Sequence, residues 1–522
     1  MNKIDRQRQP DDVGPLPETV PAPDGAFGDR AAQGSDGAAP RALTQPEVRT
    51  ILISLMLTMF LAALDQTIVA TALPTIGRQF GDVGNLSWVI TAYLLASTAV
   101  APVFGTLSDI YGRRFTIVMA LSLFMAGSLL CAVAPNMIVL IVARGLQGLV
   151  GGGILPVVQV VISDVVTPRE RGQYQAYFSG VWVAAGIGGP VIGGVFAEHL
   201  HWSMIFWINL PLGIAALALL LPKMKKIPVF HRRRKVDWLG GVLLMASAVV
   251  VLLVLTWGGT RYSWISPVIL AMGGAAVALG ASFVWHARHH DEPFLPLPLM
   301  GGRVVPFAMV AGGCAVGAML GLTVHMPLYY EAVYHLTASE AGLALIPLVA
   351  ISVPGAAVAG RAMAHMVHYK RVAIAGTSFS AVMGLVLALA TPLPLWALLT
   401  VLSLFALGLG TTFPVSVVSI QNAVARAQVG TATGAMNFFR ALMASFMVAA
   451  FTTILLIALG GNSVTGGESG HAIGNVAAPQ MVVAFRYVLA AAAVLLACAA
   501  LSLLLMEERP LAGPPAADPI MD

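Results

Sequence analysis

Long apolar runs recur along the chain, each broken by a short polar stretch. That alternation predicts fourteen membrane-spanning helices. A span needs about 20 apolar residues, and the runs have about that length: 50–72, 87–105, 115–134, 138–161, 176–197, 204–221, 238–258, 266–286, 304–329, 342–364, 372–391, 396–417, 430–459 and 482–505. The seventh and eighth runs also fit one re-entrant pair.

The spans group as six, two and six. Residues 1–46 are rich in Pro, Gly, Asp, Arg and Ala and have no apolar stretch of signal-peptide kind, so they are expected to be a disordered cytoplasmic tail. Residues 47–222 are expected to form an N-terminal six-helix bundle, 223–303 a basic linker with an inserted helix pair, 304–506 a C-terminal six-helix bundle, and 507–522 a second cytoplasmic tail. Two six-span halves around a central pair are the organisation of a repeat-built carrier. Internal repetition is weak. Its best trace is a Gly-plus-basic stretch after the second span of each half, Gly105…Arg113-Arg114 and Gly360-Arg361…Lys370-Arg371. The segment 460–481 is expected to be a flexible loop, and Glu292–Pro298 an extended linker along the membrane surface.

Composition and charge set the class. Hydrophobic residues make up 58% of the chain and charged ones 10%, where a soluble domain carries about 25% charge. The net charge of +5 matters through its placement. Arg113, Arg114, Arg169, Arg171, the stretch Lys223–Lys235, Arg288, Arg303, Arg361, Lys370, Arg371 and Arg426 fall in loops on one side, and Arg78 and Arg261 on the other. The positive-inside rule therefore puts both termini in the cytoplasm. Basic residues confined to short loops do not suggest nucleic acid. Cys131, Cys314 and Cys498 lie in apolar runs and read as packing residues.

Within the first span stands Asp65. A charge at bilayer depth costs about 2.5–3.5 kcal/mol on insertion scales, so it has either a partner or a task. A lone carboxylate in an apolar site can take and release a proton. Arg144 and Gln147, in Arg144-Gly145-Leu146-Gln147-Gly148, share one helix face, and the arginine either counters Asp65 or tunes a proton step. Gly105-Thr106-Leu107-Ser108-Asp109-Ile110-Tyr111-Gly112-Arg113-Arg114 is placed in the loop after the second span, with Asp109 and Arg113 spaced to pair on one helical face. Gly188-Gly189-Pro190-Val191-Ile192-Gly193-Gly194 gives a flat surface and a possible kink in the fifth span. Asn209 lies just inside the sixth span, Asp164 ends the fourth, and Asn437 and Arg440 sit in the thirteenth.

Together these motifs resemble the major facilitator superfamily, and within it the fourteen-span drug:proton antiporters. The resemblance covers roughly residues 48–506. It implies an all-α membrane protein of the major facilitator fold that exports hydrophobic or amphipathic compounds by alternating access. The driving force would be the proton gradient, with no cofactor. It implies proton coupling by Asp65 and Arg144, a substrate cavity with Gln147, Asn209, Asn437 and Arg440, and a conformational latch of Gly105, Asp109, Gly112, Arg113 and Asp164. In that latch Asp109 meets the start of the thirteenth span near Gly430 and Arg113 pairs with Asp164. Gly189, Pro190, Gly193 and Gly194 correspond to the antiporter motif. The expected partners are hydrophobic or cationic small molecules, protons and lipid, with a periplasmic adaptor and outer-membrane channel as further candidates. The expected location is the inner membrane, and the expected phenotype drug resistance.

The chain departs from that pattern at Ala70-Thr71 and Ser203-Met204, and its second-half loop motif lacks the acidic member. No acidic residue stands in the 342–364 run, so Asp65 is the leading carboxylate, with Glu331 second. Two other transport readings stay open. One is export of a single endogenous metabolite, lipid or siderophore; the other is proton-coupled uptake, against which the span-five motif argues. An enzyme is disfavoured because no loop is long enough for a catalytic domain. His289-His290-Asp291 reads as a solvated loop rather than a metal site.

Overall fold

The structure, a computed structural model, describes residues 45–82, 84–224, 236–459 and 478–511. The expected tail over 1–44, the basic cluster from Lys225 to Lys235, the loop over 460–477 and the end of the chain from 512 lie outside the described residues.

Among the described residues, fourteen helices are long and apolar enough to cross a membrane. The first five are α1 (Gln45–Phe80), α2 (Trp88–Tyr111), α3 (Arg113–Ala132), α4 (Met137–Val165) and α5 (Pro168–His199). The sixth span is α6 (Met204–Trp207) continued by α7 (Asn209–Met224). The inserted pair is α8 (Trp238–Trp257) and α9 (Pro267–His289), two full helices rather than a re-entrant loop. The ninth span is α10 (Val305–Tyr334), and the tenth is α11 (Ala338–Ala344), α12 (Ile346–Ala350) and α13 (Ser352–His365). Then follow α14 (Lys370–Ala390), α15 (Leu395–Gly410) with α16 (Thr412–Ala423), α17 (Val429–Ala458) and α18 (Ala478–Leu505). In lipid every backbone group must be satisfied internally, which is why such runs fold as helices.

The helices extend past their apolar runs, because capping residues rather than hydropathy set their ends. Thr167 and Thr337 each form a capping box, with Glu170 and Glu340 respectively. The tenth span therefore begins earlier than its apolar run, and its Glu340 is an exposed cap partner. The Gly105–Tyr111 stretch, expected in a loop, is the last part of α2. The break falls at Gly112 alone, whose φ of +87° suits glycine. The linker 292–298 does not lie along the surface. Phe294 and Leu295 are 2% and 4% exposed, and a 3-10 turn follows over Leu297–Met300.

Two six-helix bundles result, with the pair α8–α9 between them in sequence. α1 packs on α5 and α2 on α4 in the first; α10 packs on α17 and α18, and α14 on α18, in the second. The bundles meet where α2 crosses α17 and α5 crosses α13. Glycines let both crossings close. A Cβ on Gly105 would collide with the Gly430 carbonyl oxygen, and one on Gly360 with that of Gly172. The Gly360 stretch, only a faint repeat in the sequence, thus makes the counterpart of the Gly105 contact.

Candidate functional site

Asp65 is not a lone carboxylate. It is fully buried, and its Oδ2 accepts Arg144 Nη1 at 2.7 Å. Its Oδ1 accepts Gln147 Nε2 at 3.0 Å and Asn209 Nδ2 at 2.8 Å. Helices α1, α4 and α7 thus each supply one side of the site. Arg144 is held further by Gln147 Oε1 at 2.6 Å, by the Val89 carbonyl at 3.2 Å and by the Tyr93 ring, 4.2 Å from its guanidinium carbon. Ser128 of α3 accepts from both Gln147 and Asn209. Two polar atoms here, Asn209 Oδ1 and the Tyr93 hydroxyl, are buried without a hydrogen-bond partner.

A cavity of about 560 Å³ lies on the other face of α1. Met59, Ala62, Ala63 and Gln66 of α1 line it, so Asp65 stands behind its wall. The remaining walls come from α2, α4, α5 (through Trp182), α8, α10 and α17, with polar groups at Ser97, Thr98, Thr256, Thr260, Asn437, Ser445 and Thr452. The lining is otherwise largely apolar, the usual character of a small-molecule site. Tyr93 spans the wall: its ring carries Arg144, and a Cβ on cavity-lining Gly151 would meet its hydroxyl.

Of the four expected cavity residues only Asn437 lines this space. Gln147 and Asn209 are drawn instead to Asp65, because a buried carboxylate needs more than one donor. Arg440 was expected in the cavity and does not line it. It lies in the second bundle, where its Nη2 donates to Ser416 Oγ, and it has no acidic partner among the described residues. The sequence reading missed the α8 contribution, since nothing in an apolar run tells which face a helix turns to a cavity. Glu331, the second-ranked carboxylate, is exposed.

Between the cavity and the basic face the bundles are closed by polar contacts. Asn437 Nδ2 donates to Gln159 Oε1 at 2.8 Å. Below it Asp109 accepts the backbone N–H groups of Gly430 at 3.0 Å and Thr431 at 2.7 Å, and the Thr431 hydroxyl at 3.0 Å. These are the first amides of α17, where the helix dipole favours an anion. Arg113 bridges Asp109 at 3.0 Å and Asp164 at 2.8 Å. The Asp109–Arg113 pair spans the Gly112 break rather than one continuous helix face. Gly105, Asp109, Gly112, Arg113 and Asp164 thus meet at one crossing. In α5, Gly189 and Gly193 receive Thr67 and Ile68–Thr71 of α1, while a Cβ on Gly194 would meet open space, so Gly194 takes no part in that contact. Pro190 lies within α5 between them.

Two six-helix bundles with an inserted helix pair, a central cavity and a closure on one side define a multi-pass membrane transporter. Residues 55–448 match the family model described as Major Facilitator Superfamily, and the chain belongs to that family. It is a transporter of the efflux type and not an enzyme. The chain is 35% identical to "Efflux pump FUS6" of Gibberella moniliformis over 402 residues, covering 75% of this chain and 71% of the relative. It is 33% identical to "Multidrug transporter protein MdtP" of Bacillus subtilis over 405 residues, covering 76% and 74%. Its fold is similar to the crystal structure of the human organic anion transporter MFSD10 (TETRAN), with a TM-score of 0.61, 14% identity and coverage of 89% and 100%.

Proposed function

We propose that the protein exports hydrophobic or amphipathic compounds in exchange for protons, with Asp65 as the proton-carrying group. The observation that carries this is the Asp65–Arg144–Gln147–Asn209 cluster, buried directly behind an apolar cavity. A proton on Asp65 cancels the carboxylate charge and cuts its hold on Arg144. The new O–H needs an acceptor, and Asn209, which already faces Asp65 with its Nδ2, carries an unpaired Oδ1 that a flip of its amide would present.

The signal has a rigid carrier. Arg144 and Asp164 are on α4, 20 residues or about 30 Å apart, so one helix links the proton site to the Arg113–Asp109 closure. Loosening Asp65 from α4 biases that closure, and the bundles exchange access. The proton gradient supplies the energy without a cofactor. The basic loops favour a cytoplasmic side for both termini, with the substrate leaving to the opposite side. The relatives include fungal proteins as well as a bacterial one, and neither an inner membrane nor an adaptor with an outer channel draws support from them. A multidrug relative favours broad cargo, and relatives named only as efflux pumps keep a single endogenous compound as the second reading.

The test expresses wild type and Asp65→Asn in cells stripped of their main pumps, and follows a fluorescent cationic dye with and without an uncoupler. Wild type lowers accumulation until the uncoupler is added, and Asp65→Asn leaves it high throughout. Low accumulation in both, insensitive to the uncoupler, removes the proton role.

A further inference from the structure

The geometry points to a divalent transition-metal site on the inserted helix pair, formed by Asp237, His286 and His290. Their ligand atoms all lie within 4.8 Å of one another. The three come from two helices: Asp237 is the N-cap of α8, while His286 and His290 stand one turn apart at the end of α9. A pair of histidines four residues apart faces one direction, and their rings are 5.1 Å apart. His286 Nε2 sits 2.8 Å from Asp237 Oδ1. Two donors each about 2.1 Å from an ion span about 3 Å across a right angle, so this pair fits one edge of a coordination shell.

The carboxylate is already oriented. Oδ1 accepts the Gly240 N–H at 2.8 Å and Oδ2 the Phe294 N–H at 3.0 Å. Burial opposes the charge on Asp237, but these amides and His286 outweigh it and hold the group below the usual carboxylate range. Such outer contacts fix a ligand before the ion arrives. His290 is exposed and gives an entry path. Its Nδ1 accepts the Glu292 N–H at 3.2 Å. An ion on Nδ1 replaces that bond directly, and an ion on Nε2 puts the proton on Nδ1, so loading releases the Glu292 amide either way. Two imidazoles and one carboxylate select zinc, cobalt or nickel over magnesium or calcium.

The site also touches the transport machinery. Phe294, anchored on Asp237, takes the Thr106 hydroxyl on its carbonyl at 3.5 Å, and Thr106 faces Thr431 of the closure at 3.4 Å. The ion therefore ties α8 to α9, and through Asp237 to Phe294, next to the crossing of α2 and α17. The contiguous trio His289-His290-Asp291 is not the site: His289 Nδ1 bonds the Trp285 carbonyl.

The test uses full-length protein in detergent, purified without a histidine tag and titrated with Co²⁺ by absorption and with Zn²⁺ by calorimetry. Wild type takes one equivalent. His286→Ala and His290→Ala each weaken binding at least about tenfold, and His289→Ala matches wild type. Zn²⁺ raises the melting temperature of wild type and not of His290→Ala. Asp237→Asn is left out of the decision because it also removes a cap and the Phe294 anchor. Wild-type binding no tighter than that of a His286→Ala/His290→Ala double variant, or equal loss in His289→Ala, overturns the assignment.

Discussion

At the residue scale, the central fact is the way Asp65 is satisfied. A charge at bilayer depth was legible in the sequence, and so was Arg144 as a candidate counter-charge. The full partner set was not. Gln147 and Asn209 looked like cavity residues because polar groups in apolar runs are ambiguous: they serve either a ligand or another buried polar group. The structure has them on Asp65. Arg440 shows the converse, a cation whose depth was legible and whose neighbour was not. The pairing makes a stability prediction. Arg144→Ala leaves a buried carboxylate without its cation and costs about 3–5 kcal/mol, seen as a lower melting temperature and folded yield in detergent. The double variant Asp65→Asn/Arg144→Gln removes both charges and recovers a large part of that loss. A double variant less stable than Arg144→Ala contradicts the pairing.

At the element scale, the spans and their order were readable from apolar runs alone, and their ends were not, because caps such as Thr167–Glu170 lie outside hydropathy. That is why Gly105–Tyr111, expected as loop, is helix. The consequence is mechanical: Asp109 is carried on the rigid end of α2 and meets the first amides of α17. Asp109→Asn removes the charge and one of the two acceptor oxygens there and is expected to abolish transport while expression is retained, measured by dye accumulation alongside membrane yield. Gly105→Val drives a side chain into the Gly430 backbone. It should hold the crossing open and raise thiol labelling of a cysteine placed at Thr431, which is 3% exposed. Unchanged labelling would count against a tight crossing. The inserted pair carries a further expectation. Thr256 and Thr260, at the end of α8 and just beyond it, line the cavity, so Thr256→Val/Thr260→Val should change relative export rates among dyes by about tenfold with little change in folded yield. Equal rates for all dyes would place substrate elsewhere.

At the scale of the whole molecule, two bundles closed on the basic side, with a cavity running from mid-membrane away from it, are arranged for alternating access. The Asp65 cluster and the closure are joined by α4, and the closure uses paired crossings, α2 with α17 and α5 with α13. The role proposed for Asp65 is the exchange of a proton for substrate. The most direct measurement places purified protein in liposomes with a pH-sensitive dye inside, then adds a transported cation outside. Wild type should carry protons against the substrate, giving a pH change that scales with substrate and saturates. Asp65→Asn should give none while still binding substrate. Proton movement in Asp65→Asn equal to wild type, or substrate movement in wild type with no proton movement, would contradict the account.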